Sequence, residues 1–390
     1  MQDVAAIGAI PDLDHWLAER DLNGSWQRAR PQAQGFPSYP PFLWKWQDIS
    51  EGLATMRRLA ETHSSITPQP PAAILLTNPR ERPGNPITTS LSVGSLMPAE
   101  SAAPRHASHN LLRFVIQGGA DATMTVDGES FPGELFPMED GDLILIPASS
   151  SYEVTNHTEN PVFWLDGLDA PLARLAHVFT HTASTAQHLT KPTGHSATIL
   201  RGARPLWALG EPQTQPFRYP WADDEPTPSP RHSSSSHTPS PRRSSGSQTP
   251  SPRRSGERVG VKGALDLLRS PGGQEKPPDP CDGVILSYTH PVNAGPTTPT
   301  IEAQIQLLPP NQKLHTHRHN STTRYHVVQG SGSTTVEGET LSWTARDVFV
   351  VPPWCWHTHR SESTEDAILF SITDRPFMTA LEYYREEVQA

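Results

Sequence analysis

RFVIQGGADATMTVDGE (113–129) and YHVVQGSGSTTVEGE (325–339) are one phrase written twice. Each runs from a short β-prone stretch through a Gly turn into a second β-prone stretch, and closes on an acid-Gly turn. Downstream, DGDLILIP (140–147) is matched by ARDVFVVP (345–352). Short strands with such closely spaced turns are the pattern of a barrel or sandwich. Moving outward, AAILLTN and PVFWL flank the first phrase; VILSYTH, TIEAQIQLLP and AILFSIT flank the second. The fold class expected is therefore mostly β, with two copies of one small β-barrel and short flanking helices.

The chain has 390 residues, enough for two units with cores of their own. Its 42 prolines and 35% hydrophobic content indicate that part of it does not pack. A net charge of -10 argues against a general nucleic-acid surface. The two cysteines, Cys281 and Cys355, have no CxxC spacing, so neither a disulfide framework nor a cysteine zinc site is expected. No run approaches the roughly 20 apolar residues of a membrane span, and the N-terminus lacks the basic start of a signal peptide. These features read as a cytoplasmic protein without nucleic-acid or membrane partners.

The sharpest chemical signal is LHTHRHNSTTRYH (314–326) followed by PPWCWHTH (352–359). Residues two apart on a strand share a face, so His315, His317 and His319 point the same way. His357 follows the strand-like DVFVVP. Any two neighbours among them could grip one ion; two from this strand and His357 from the strand-end turn make a facial triad, with His317, His319 and His357 as the candidate set. Such a triad leaves positions open for substrate and O2, and imidazole suits Fe, Zn, Ni or Cu. The plainer alternative is a histidine-rich strand facing solvent. His326 and His359 are read as supporting or surface histidines, and Cys355 as a buried thiol. Strand parity points Arg324 away from the ligands.

HRHNSTTRYHVVQGSG, DVFVVPPWCWH and LFSITDRPFMTALEYYREE resemble the C-terminal cupin of gentisate 1,2-dioxygenases. LWKWQDI, LLTNP, LLRFVIQG, PVFWLDGLD and FRYPW resemble the same family in order. The resemblance, shared with salicylate and 1-hydroxy-2-naphthoate dioxygenases, implies a bicupin. It also implies Fe(II)-dependent ring opening of a small aromatic carboxylate by O2, and a homo-oligomer. One departure stands out. The family's catalytic iron sits in the first cupin, but counting back from LLRF puts Arg105 and Ala107 in two ligand places. PASSSYEV puts Tyr152 in the third. His106 and His109 have opposite strand parity, and only a one-residue bulge would rescue His106. Arg113 occupies the place where the family binds the substrate carboxylate. The alternative to an oxygenase is a divergent or non-catalytic cupin that keeps only its second metal site.

The expected organisation is a helical and extended arm (1–71), a first cupin (72–185) and a connector (186–223). An insert (224–256), a second connector (257–282), the second cupin (283–375) and a terminal helix (376–390) follow. Within the arm, helices are expected over Asp14–Arg20 and Gly52–Glu61. The insert repeats TPSPR from 227, 238 and 249 and offers no apolar residue to bury. It is read as disordered, with Thr227, Thr238 and Thr249 as sites for proline-directed phosphorylation or, more simply, as a tolerated loop.

Overall fold

A computed structural model describes residues 39–62, 71–78, 88–128, 131–176, 216–221, 264–269, 279–290, 294–310 and 314–389. The insert, the first helix expected in the arm and most of the first connector lie outside the described residues.

The arm enters as β1 (Phe42–Trp44) and α1 (Trp46–Thr62). The first barrel uses β2 (Ala72–Leu76), β3 (Ser90–Leu96), β4 (Arg105–Ala107), β5 (Leu111–Gln117) and β6 (Gly119–Gly128). It continues through β7 (Phe131–Met138), β8 (Leu143–Ile146), β9 (Ser150–Asn156) and β10 (Val162–Leu168) to α2 (Ala170–Leu175). Two short elements follow, β11 (Phe217–Tyr219) and α3 (Ala264–Arg269). The second barrel comprises β12 (Val284–Ser287), β13 (Glu302–Leu308), β14 (His317–His319), β15 (Thr323–Gln329) and β16 (Ser331–Val336). It closes with β17 (Glu339–Thr344), β18 (Val348–Val351), β19 (His357–Ser361), β20 (Ala367–Thr373), α4 (Arg375–Ala380) and β21 (Glu386–Val388).

Each barrel is a sandwich of two antiparallel sheets. The six-stranded sheets run β11-β8-β5-β10-β3-β2 and β1-β18-β15-β20-β13-β12. The smaller sheets are β4-β9-β6-β7 and β17-β16-β19-β14-β21. Strand alternation divides the apolar residues among three cores. Leu111, Val115, Met124, Ile144 and Trp164 fill the first barrel. Tyr325, Val327, Trp343, Phe349 and Leu369 fill the second. The third core lies between the two six-stranded sheets, where Leu112 and Phe114 meet Ile305, Phe370 and Ile372. Phe114 stacks on Phe370 with ring centroids 4.2 Å apart. Because both faces of these central strands are buried, they read as near-continuous apolar runs.

The segments outside the barrels are stitched into them. β1 pairs with β18 of the second barrel, Phe42 opposite Val350. β11 pairs with β8 of the first, Phe217 opposite Leu145. One carboxylate anchors each addition. Asp347 accepts from Lys45 Nζ at 2.8 Å and from the Trp46 amide at 2.9 Å. Asp142 accepts from Arg218 Nε at 2.6 Å and from the Trp221 amide at 3.1 Å. The expected arm and connector therefore each contribute an edge strand.

The terminal helix is shorter than expected. α4 ends at Ala380, and Glu382 takes a left-handed φ of 59°. The chain then returns as β21 to pair with β14. β14 has an open edge there, and its unpaired backbone groups favour a strand over further helix.

His326 faces the core between the barrels, 5.6 Å from the Phe114 ring, with its Nδ1 buried and unpartnered. Burial pushes its pKa down to about 3. The unfolded chain protonates this group near pH 6.5 and the native state resists, so its stabilising effect is complete above that pH and fades as pH falls below it. At pH 5 the penalty is about 2 kcal/mol. Denaturant titrations of metal-free protein at pH 7 and pH 5 should show a smaller loss in His326→Leu than in wild type. Equal losses would remove His326 from the account.

Candidate metal centre

β14 and β19 lie side by side with His317 opposite His357. Parity places His319 on the same face as His317, and all three side chains turn into the barrel, each under 9% exposed. One nitrogen from each histidine lies within 4.8 Å of the others, and no other such group occurs among the described residues. His315 is exposed and does not join them.

Backbone carbonyls set the tautomers. His319 Nδ1 lies 2.9 Å from the Ser321 carbonyl, and His357 Nδ1 lies 2.9 Å from that of Cys355. A carbonyl only accepts, so each Nδ1 carries its proton and each Nε2 keeps its lone pair. Burial first, then the neighbouring His317, lowers the His319 pKa to about 4. Burial and the surrounding imidazoles hold His357 well below its usual range. At neutral pH these rings are neutral, the form that ligates. His357 Nε2 is buried without a partner. Three convergent imidazoles with an unsatisfied buried nitrogen fit a divalent transition metal.

The turn before His357 is strained. Trp354 holds φ at 63°, and its amide donates to the His319 carbonyl at 2.6 Å. Arg318 sits 4.5 Å from both the Trp354 and Trp356 rings and binds Glu387 at 2.7 Å. The outer face of the ligand strand is thereby clamped to the turn and to β21.

Sequence reading missed two neighbours. Asp282 Oδ1 lies 3.9 Å from His317 Nε2, and Gln306 Nε2 donates to the Asp282 carbonyl at 2.6 Å. They come from a turn and a strand that carry no motif. His359 lies inside the barrel, 5.7 Å from His357, with its Nδ1 2.8 Å from Thr334 Oγ1. Arg324 points away from the ligands, as parity requires, and is buried against Thr89 of the first half.

A family model described as a cupin domain matches residues 304–373. A gentisate 1,2-dioxygenase from Haloferax sp is 29% identical, covering 96% of this chain and 95% of that protein. A 5-aminosalicylate 1,2-dioxygenase from Comamonas sp is 33% identical, covering 90% of this chain and 82% of that protein. The chain belongs to the gentisate 1,2-dioxygenase family. The solved structure of the salicylate 1,2-dioxygenase from Pseudoaminobacter salicylatoxidans with gentisate matches at a TM-score of 0.65. It is 22% identical and covers 100% of this chain and 96% of that one, which shows a shared fold.

In this member of the gentisate dioxygenase family, the first barrel lacks the histidines of the second. β4 and β9 repeat the geometry of β14 and β19, with Arg105 opposite Tyr152 where the second barrel has His317 opposite His357. The Ser149 amide donates to the Ala107 carbonyl at 2.6 Å, as Trp354 does to His319, and Ser149 shares the left-handed φ at 65°. Arg105, Ala107 and Tyr152 thus occupy the three ligand places. The β4 pairing is continuous, so no bulge turns His106 inward, and its side chain is exposed.

Arg113, expected as a carboxylate binder, is buried inside this barrel at 1% exposure. Its Nε and Nη2 each donate to an oxygen of Asp166 at 2.8 Å. Trp164 lies 4.5 Å beneath the guanidinium and donates from Nε1 to Asp166 at 3.1 Å; Tyr152 lies 5.3 Å away. Burial opposes the charge on Arg113, but Asp166 more than offsets it and the pKa is raised. The fork that would clasp a substrate is already filled from within.

Proposed function

We propose that this chain opens the ring of a hydroxylated aromatic carboxylate with O2 at an iron(II) centre held by His317, His319 and His357. The observation that carries this reading is the convergence of those three buried imidazoles in the second barrel. Membership in a family that includes gentisate and 5-aminosalicylate 1,2-dioxygenases supports the substrate class. Bound iron(II) would supply a Lewis-acid template with open positions for substrate and O2.

The chain's own contribution is positioning and exclusion of water. Ser321 and Cys355 hold the His319 and His357 rings through their Nδ1 protons. Tyr325, Phe349 and Leu314 wall the interior with apolar surface. Thr334 receives the Trp343 indole N–H at 2.9 Å and fixes His359 beside the ligands. By analogy with its relatives, the ring opens between the carboxyl-bearing and hydroxyl-bearing carbons. The assembly is read as a homo-oligomer in the cytoplasm; the two described cysteines, both free and buried, fit a reducing compartment.

The altered first barrel favours a second reading, a cupin without oxygenase activity that keeps one metal site. Anaerobic loading with Fe(II), then addition of gentisate and air, separates the two. The first reading expects O2 uptake and a new absorbing product. An iron-filled protein that consumes no O2 with gentisate, salicylate or 1-hydroxy-2-naphthoate leaves only the second.

A further inference from the structure

The two barrels turn the same corner after their last strand. In the first, Asp169 precedes α2 and accepts from the Asn110 amide at 2.8 Å. In the second, Asp374 precedes α4 and accepts from the Thr322 amide at 2.8 Å. A proline stands two positions after each aspartate. Between aspartate and proline the first barrel has Ala170 and the second has Arg375. The barrel with three convergent histidines carries a cation at this corner.

Arg375 is exposed, and its guanidinium lies 4.8 Å from the Tyr384 ring. Tyr384 Oη donates to Glu386 at 3.0 Å, and Glu386 pairs with His319 across β21 and β14. The corner therefore stands beside the ligand strand. Arg57, Arg113, Arg218 and Arg318 each bind a carboxylate. Arg375 has no such ion pair among the described residues, so its fork is open to a ligand.

We infer that Arg375 is the anion anchor of the second barrel's site, holding the carboxylate of an aromatic acid presented to the His317–His319–His357 centre. The inference rests on the proposed function for its substrate class. A guanidinium steadied over an aromatic ring offers a planar pair of donors that a carboxylate matches. A neutral ring of the same shape gains nothing from it. Arg375 is thus a specificity-determining residue, and its effect falls on carboxylates alone.

Full-length protein loaded with Fe(II) under anaerobic conditions would be titrated calorimetrically with gentisate and with 2,5-dihydroxybenzamide, its neutral analogue. Arg375→Gln should weaken gentisate binding about tenfold or more, the scale of one charged hydrogen bond, and leave the amide unchanged. Arg375→Lys should recover part of the loss, and iron content should match wild type in both variants. Unchanged gentisate affinity in Arg375→Gln would overturn the inference. So would an equal loss of both ligands, or a loss of iron, because either marks a structural role. Arg375-dependent gentisate binding without O2 uptake on admitting air would keep the anchor and discard the oxygenase. Wild-type protein that binds iron but neither gentisate nor benzoate would discard both.

Discussion

His357→Ala should empty the second barrel of metal and abolish turnover together. Among the described residues three imidazoles are the one converging donor group, and His357 is the member supplied by the far side of the β14–β19 pair. Losing a hydrogen bond that merely supports a ligand costs about 10–100-fold in metal affinity. Losing the ligand itself should exceed that. Elemental analysis after equilibrium dialysis would read it directly, with about one iron per wild-type chain and close to none in the variant. Tyr152→Phe, at the matching place of the first barrel, should keep wild-type iron. Iron retained in His357→Ala, with native circular dichroism, would reject the triad. Two irons per wild-type chain would mean that the first barrel binds metal after all.

Asp166→Ala should strongly destabilise the first barrel. It would strand the Arg113 guanidinium, 1% exposed, without its counter-charge. Breaking one side of a buried pair costs about 3–5 kcal/mol, whereas replacing both partners with apolar residues of similar volume is often neutral or stabilising. Urea unfolding should therefore show a large loss in Asp166→Ala and near recovery in Arg113→Met/Asp166→Leu. Additive losses in the double variant would contradict the coupling. The double variant also tests the role expected of Arg113 from the family. Full activity would make the first barrel a scaffold. A raised KM for gentisate, with stability intact, would return Arg113 to the substrate.

Much of this was legible in the chain because it rests on local rules. Short β-prone runs bounded by turn signals, such as LLRFVIQ and RYHVVQ, mark strands, and strand parity separates His317 and His319 from Arg324. Counting from LLRF was enough to locate Arg105 and Ala107, because β4 pairs without irregularity. Relations without a short-range signal were missed. Asp166 lies 53 positions from Arg113, and its pairing needs the closed barrel. Asp282 lies near His317 only because the turn before β12 folds beneath the ligand strand. LEYYREE reads as helical by composition, yet the open edge of β14 draws its end into a strand. Tertiary pairing overrode propensity there.

The crossed edge strands bear on how the molecule is made. Lys45 bonds Asp347, 302 positions downstream. During synthesis β1 leaves the ribosome long before β18 exists, so the growing chain carries an unmatched apolar ribbon until nearly its last residues are translated. The second half, cut out alone, would expose the β18 flank that β1 normally covers. The two barrels thus share a pattern and a topology yet cannot be separated without leaving a raw seam.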